Sequence, residues 1–206
     1  MELKKYKFDE LYSMGSGLSS SPEQAGHGSD FVSFSTIFNN PILPNILIDK
    51  METSEIEQEI YSIKKGDILI TRTSENLDEL AMSSVAIKDY EKTTFSGFAK
   101  RLRPTQYNID NKITYDKYMA FYLRSDYFRK LINNNAIMTL RASFNEQIFS
   151  YLYLMLPDYE IQVKIGDMLY SIYEQIERNN DMVQKLQCFN YTKSCFSWKG
   201  EMRYDS

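Results

Sequence analysis

Apolar residues in the first three quarters of the chain fall in short runs that are bounded by glycine, proline or clustered polar residues. This pattern predicts strands, or a strand and turn in the first case, at residues 31–41, 63–73, 83–90, 93–104 and 151–156. Helical spacing predicts one helix from Thr114 to about Asn133, and the capping-box pattern Ser143-x-x-Glu146 predicts a short helix. The mixture predicts an α/β (α+β) fold.

A long helix is predicted from Asp158 to Gln187, where no proline occurs and where Asp158 follows Pro157 as a candidate N-cap. At 1.5 Å per residue it would be about 45 Å long, more than a domain of this size covers. We therefore expect a coiled-coil-like helix that pairs with another long helix, although packing on its own domain is the alternative. Its apolar stripe consists of Ile161, Ile165, Met168, Leu169, Ile172, Ile176, Val183 and Leu186.

The segment GDILITRTSE, residues 66–75, begins as a buried strand and ends unlike one. Three aliphatic residues are followed by five residues with hydrogen-bonding side chains, Thr71 to Glu75. A surface strand would alternate apolar and polar residues, and a buried strand would end in a turn. The pattern indicates a strand that presents polar groups at its tip.

Composition indicates a folded protein without a membrane span or a metal site. The 206 residues are 43% hydrophobic, and the longest apolar runs are far shorter than a transmembrane helix. The N-terminus has no apolar stretch of signal-peptide length, and the only cysteines are Cys188 and Cys195, which fits a reducing cytoplasm. With a single histidine, His27, the chain has too few suitable ligands for a zinc site, and we expect no metal.

Charge is distributed unevenly along the chain. The net charge is -4, and residues 49–59 hold five acids and one lysine. Residues 96–145 hold nine Lys or Arg against three Asp or Glu, a surplus of six positive charges. Such a window is compatible with a basic footprint for nucleic acid and equally with a solvated surface.

Catalytic motifs are absent from the sequence. The segment NNPI at 39–42 lacks the second proline and the aromatic residue of a DNA methyltransferase tetrad. The segment PDYE at 157–160 lacks the acid-x-lysine that would complete a nuclease motif, and no glycine-rich nucleotide loop follows a strand. A methyltransferase or nuclease fragment is therefore a weak interpretation.

Four segments resemble a target recognition domain and spacer helix of type I restriction–modification specificity subunits. They are KKGDILITRTSENLDELAMSS (64–84), FSGFAKRLRP (95–104), YLRSDYFRKLI (122–132) and SFNEQIFSYLYLMLPDYEIQVKIGDMLYSIYEQIERN (143–179). The resemblance extends over residues 5–187. In the family the junction usually reads Leu/Ile-x-x-Pro, a few residues, and then Glu-Gln-x-x-Ile, whereas here Ile161 separates Glu160 from Gln162. Full specificity subunits carry two recognition domains and two spacer helices. This chain has one of each, as expected of a half-subunit, a truncated or silent copy, or an isolated domain.

The resemblance implies a non-catalytic, cytoplasmic component that reads one half of a split DNA sequence and uses no cofactor. It implies a mixed-sheet recognition domain at 1–157, a spacer or dimerisation helix at 158–187 and a C-terminal tail at 188–206. The expected partners are double-stranded DNA, the methyltransferase and restriction subunits, and a second copy bound antiparallel through the helix. The alternative is a protein-interaction module, or silent recombination cassette, with the same fold and no DNA binding.

The resemblance also suggests which side chains contact DNA. They lie in a glycine-serine loop, at the strand tip, on the strand that follows, and in a loop at a helix start, where hydroxyl and basic groups would meet phosphates or base edges. The expected DNA-binding residues are Ser16, Ser19, Ser20, Arg72, Thr73, Ser74, Lys100, Arg101, Arg103, Arg141, Ser143 and Asn145.

Overall fold

The computed structural model describes residues 2–74, 79–135 and 142–201, with the side chains of Ala142 and of residues 188–201 left aside. The chain divides into two compact units, Met1–Asp167 and Met168–Ser206. The strands are β1 Lys4–Lys7, β2 Tyr12–Ser16, β3 Ala25–Val32, β4 Lys50–Met51, β5 Ile68–Thr71, β6 Thr73–Ser74, β7 Ser83–Val85, β8 Thr94–Phe95, β9 Ala99–Pro104, β10 Ala142–Ser143 and β11 Tyr153–Leu156. The helices are α1 Phe8–Leu11, α2 Phe34–Asn39, α3 Glu55–Ile60, α4 Gln106–Asp110, α5 Asp116–Tyr122, α6 Asp126–Asn135, α7 Glu146–Tyr151 and α8 Tyr159–Glu201.

The main sheet has four antiparallel strands in the order β2-β9-β5-β7. A second sheet, β4-β3-β8, pairs β3 with β8 in parallel, and the remaining strands form the two-stranded pairs β1-β11 and β6-β10. Parallel and antiparallel pairs thus occur together, and the predicted mixed α/β fold is confirmed.

Strand β5 explains the aliphatic run in the sequence, because all four of its residues are buried between β9 and β7. The chain enters it through Gly66, whose φ of 87° favours glycine, and through Asp67, which accepts a hydrogen bond from the Lys64 amide. A strand buried on both faces is apolar without alternation, as the sequence predicted.

Two of the predicted strands need correction. The strand and turn at 31–41 is wrong beyond Val32, because the Ser33 hydroxyl accepts a hydrogen bond from the Thr36 amide and starts α2. The single strand at 93–104 is divided into β8 and β9 by a turn at Ser96, where the Ala99 amide donates to the Ser96 carbonyl at 2.9 Å.

Two helix predictions also need correction. The single helix from Thr114 to Asn133 is wrong, because the Ser125 hydroxyl accepts from the Phe128 amide and separates α5 from α6. The short helix after Ser143 is present as α7, but its cap is Asn145, whose Oδ1 accepts from the Ile148 amide at 2.9 Å. Ser143 belongs instead to β10.

The long helix is present and continues past Gln187 to Glu201, a length of 43 residues. Its first residues belong to the first unit, where the buried Gln162 side chain bonds the Ile113 and Pro157 carbonyls and the Tyr115 amide. In the second unit six apolar side chains are exposed, among them Ile172 and Ile176 at 51% each, whereas the predicted stripe residue Leu169 is half-buried. Within the described ranges, no helix has the length and apolarity needed to cross a membrane.

Candidate nucleic-acid interface

Four separate segments meet at the end of the main sheet where β5 finishes. Thr71, the last residue of β5, lies opposite Ala99 at the start of β9. Beyond this pair, the Arg72 amide donates to the Phe98 carbonyl at 2.9 Å, and the Phe144 amide donates to the Arg72 carbonyl at 2.8 Å. The backbone of Arg72 is therefore held from two sides.

The strand tip and the loop at the α7 start, predicted separately, are neighbours. Strand β6 pairs antiparallel with β10, so that Thr73 lies opposite Ser143 and Ser74 lies opposite Ala142. The antiparallel pair fixes the register of the two loops relative to each other.

The glycine-serine loop lies beside the same end of the sheet. Ser16 is paired with Lys100 across β2 and β9, and the Lys100 ammonium donates to the Ser16 hydroxyl at 2.9 Å. Leu18 then forms a parallel bridge with Ser96, so close that a Cβ atom on Gly17 would overlap the Ser96 carbonyl. We call the side chains of Ser16, Ser19, Arg72, Phe98 and Lys100 the strand-tip surface.

Exposure distinguishes the polar side chains of the strand tip. Arg72 is exposed and Thr73 is half-buried, whereas Thr71 and Ser74 are buried. The Thr71 hydroxyl accepts from the Met82 amide at 2.9 Å and so stabilises the interior. Among residues 71–74, Arg72 is therefore the exposed side chain, and Glu75 lies outside the described residues. Ser19 and Ser20 are exposed on the neighbouring loop.

Arg101 and Arg103 are engaged inside the protein. Arg103 makes two hydrogen bonds to the fully buried carboxylate of Asp67, at 2.9 and 2.7 Å, and this partner raises the pKa of its guanidinium. Arg101 donates to the Ser62 carbonyl and lies over the Phe95 ring, and burial lowers its pKa. Internal partners hold both side chains, although the buried Nε of Arg101 has no hydrogen-bond partner among the described residues. We therefore expect neither arginine to contact a phosphate.

Replacing Arg103 with lysine tests this internal role, because lysine keeps the charge but loses the two-point contact with Asp67. We expect the free energy of unfolding to fall by about 1 kcal/mol, while the folded variant keeps wild-type affinity for DNA. Denaturant unfolding and DNA titration of the same sample measure both quantities. Loss of affinity without loss of stability would instead place Arg103 in a DNA contact.

Some polar and basic side chains of residues 96–145 have partners within the protein. Asn145 uses its side-chain oxygen to cap α7, and Arg141 lies outside the described residues. Arg124, also within the basic window, donates to the carbonyls of Ser83, Ile37 and Phe38. The surplus of positive charge in that window therefore overstates the charge presented at the surface.

Sequence reasoning missed Phe98, which is 69% exposed at the strand tip. The available signal was Gly97, an isolated glycine inside a strand pattern, which often marks a close backbone approach. Its amide donates to the Leu18 carbonyl at 2.7 Å, so the turn carrying Phe98 contacts the glycine-serine loop.

A cavity of about 430 Å³ lies at the opposite end of β5, beside Gly66 and Asp67. Its buried polar groups pair with one another, since the Tyr12 hydroxyl donates to Thr114 Oγ1 at 2.9 Å and Asn108 donates to the Leu11 carbonyl. Burial raises the pKa of the Tyr12 phenol. We assign this network to the stability of the first unit.

The strand-tip surface presents polar and aromatic side chains from a fixed end of the main sheet. The sequence matches the family described as "Type I restriction modification DNA specificity domain" over residues 4–187, and the chain belongs to that family. Members are specificity components rather than catalytic ones. No curated protein matches the chain significantly.

Solved structures from type I restriction-modification systems share this fold. The HsdS subunit from Thermoanaerobacter tengcongensis gives a TM-score of 0.55 at 16% identity, over 85% of this chain and 38% of that chain. The S subunit of a type I restriction-modification system from M. genitalium gives 0.56 at 14%, over 86% and 41%. A chain from a study of complex assembly and conformational transition of the type I R-M system gives 0.57 at 16%, over 85% and 39%. This chain thus spans about two fifths of each.

Proposed function

We propose that the first unit recognises one half of a split DNA sequence for a type I restriction–modification complex. The observation that carries this proposal is the convergence of four segments at the end of the main sheet where β5 finishes, where Arg72 is exposed on a backbone bonded from both sides. Membership of the specificity-domain family supports the same function.

Each group on this surface has a chemical role in the proposal. Arg72 donates two hydrogen bonds to a guanine edge in the major groove, the commonest specific arginine contact. Lys100 contacts a phosphate, which fixes position without reading sequence. The exposed hydroxyls of Ser16, Ser19 and Ser20, the last just beyond the surface, form hydrogen bonds to the sugar-phosphate backbone of the DNA nearby. Thr73 and Ser143, paired across β6 and β10, border the surface.

The second unit supplies the proposed protein contacts. Six apolar side chains of this part of α8 are each more than half exposed. An exposed apolar stripe of this kind is typical of a helix that pairs with another helix. They are Met168, Ile172, Ile176, Met182, Val183 and Leu186. We propose that this stripe binds a second copy antiparallel, and that the resulting dimer docks the methyltransferase and restriction subunits.

A protein-interaction module without DNA binding is the second candidate function. It is favoured by the internal use of Arg101, Arg103 and Arg124 and by the net charge of -4. The exposed stripe on α8 serves either function.

Selection from a random pool of DNA duplexes distinguishes the two candidates. The full chain, alone and with its methyltransferase subunits, should enrich a defined sequence, and its affinity should fall steeply with salt because phosphate contacts release counterions. Enrichment of no sequence in either state would support the protein-interaction module and contradict the DNA-recognition proposal.

Activity of the purified chain alone is a separate prediction. Since the sequence carries no methyltransferase or nuclease motif, we expect neither methyl transfer nor cleavage with a methyl donor or divalent metal supplied. Incubation with radiolabelled methyl donor and with supercoiled plasmid measures both reactions. Turnover that copurifies with the chain through successive columns would contradict the prediction.

A further inference from the structure

The side chain of Phe98 is exposed at a place where the backbone is fixed. It is 69% accessible, whereas Phe95, three residues earlier, is fully buried. A single exposed apolar side chain is common and carries no conclusion by itself. The fixed backbone and the neighbouring arginine are what distinguish this one.

The turn at residues 96–99 is held by consecutive hydrogen bonds. The Ser96 amide donates to the Val32 carbonyl at 3.0 Å, and the Gly97 amide donates to the Leu18 carbonyl at 2.7 Å. The next two amides, of Phe98 and Ala99, donate to the hydroxyl and the carbonyl of Ser96 at 3.2 and 2.9 Å. A Cβ atom on Gly97 would lie 2.9 Å from the Leu18 carbonyl oxygen, so the close approach requires glycine.

Arg72 is the immediate neighbour of Phe98 at the strand tip. Its amide donates to the Phe98 carbonyl at 2.9 Å, just beyond the paired residues Thr71 and Ala99. Residues opposed across antiparallel backbones have Cα atoms about 4.5 to 5.5 Å apart. Base pairs in B-DNA are about 3.4 Å apart. The spacing of the two backbone positions lies between one and two base-pair steps, so flexible side chains from them can reach adjacent base pairs.

We propose that Phe98 reads a thymine, through contact with its 5-methyl group, in the base pair next to the one that Arg72 contacts. This inference rests on the proposed DNA recognition. Arginine reads guanine in the major groove, which also carries the thymine methyl group, and phenylalanine is an apolar partner for that group. Aromatic side chains that insert between adjacent base pairs do so from the minor groove. Since Arg72 is proposed to lie in the major groove, the neighbouring Phe98 is better placed to contact the methyl group.

Deoxyuridine substitution tests the contact, because it removes the methyl group and leaves the pairing edge unchanged. In the duplex selected by the wild-type chain, each thymine is replaced in turn and the Kd is measured. We expect one position at which the wild type weakens by about fourfold, the factor that corresponds to one buried methyl group. Phe98→Ala should bind the thymine duplex at least about fourfold more weakly than the wild type does. Its Kd should not change when deoxyuridine replaces thymine at that position.

Two controls separate this result from a structural defect. Phe98→Leu keeps an apolar contact and should keep part of the sensitivity, and Tyr107→Ala removes an exposed aromatic residue that follows the other end of β9. Tyr107→Ala should respond to deoxyuridine as the wild type does. All variants should unfold at wild-type denaturant concentrations.

Three results would overturn the proposal. The first is a selected half-site that contains no thymine. The second is a Phe98→Ala variant that responds to deoxyuridine as the wild type does at every thymine. The third is a Phe98→Ala variant that loses the same affinity on the thymine duplex and on every deoxyuridine duplex. Failure of the wild type to select any sequence would be a different result from these three. It would contradict the proposed DNA recognition itself, and the thymine contact with it.

Discussion

Replacing Arg72 with alanine is expected to relax base discrimination at a single position of the recognised half-site. The exposed side chain stands on a backbone that is bonded to Phe98 and Phe144, so its loss leaves the surrounding fold unchanged. A two-point arginine–guanine contact contributes about 1 to 3 kcal/mol of discrimination. Competition binding with all four bases at each position of the selected site measures the change.

Lys100→Ala is the contrasting variant for this experiment. Because a phosphate contact carries no sequence information, its loss should weaken all duplexes alike and lower the slope of affinity against salt by about 1. Lys64→Ala removes an exposed charge before the other end of β5 and should change neither discrimination nor slope. Unchanged discrimination in Arg72→Ala would contradict the assignment of Arg72.

Replacing Ile172 and Ile176 with aspartate is expected to abolish association of two copies while leaving the first unit folded. Both side chains are 51% exposed within the second unit. In an antiparallel pair the variant would place four unpaired carboxylates in an apolar seam, which should raise the dimer Kd roughly a hundredfold or more. Sedimentation at micromolar concentration gives the mass of each variant.

The matched control adds at least as much negative charge off the stripe. Gln184 and Lys185 are exposed and lie about 120° and 140° around the helix from Ile172, on the side opposite the stripe. Aspartate at both positions should leave the dimer intact. A wild-type monomer under these conditions would contradict self-association and leave the stripe as a docking surface for another subunit.

The sequence predicted those elements that depend on a single local pattern of apolar residues. The buried strand β5 needs an uninterrupted apolar run, and Ile68 to Ile70 supply it. The helix α8 needs a stripe without proline, and the spacing of Ile161, Ile172 and Val183 supplies that. Both patterns are local, and both can be read without knowledge of distant contacts.

Elements that depend on distant or competing partners were not predicted. A serine hydroxyl can bond the preceding turn or cap a new helix, and only the packed structure shows that Ser125 caps α6. Arg103 finds Asp67 36 positions away, so the charge pattern alone cannot separate it from a phosphate contact. The hydrogen-bonded turn that presents Phe98 depends in the same way on Leu18, from another part of the chain.

Methylation mapping tests the central claim most directly. Genomes of a host that carries the cognate methyltransferase subunit are compared with and without the gene for this chain. Recognition by an antiparallel dimer of identical units predicts one new methylated motif, made of two inverted copies of a half-site separated by a fixed gap. Identical methylation patterns in the two strains, with the chain and its methyltransferase both expressed, would contradict the account.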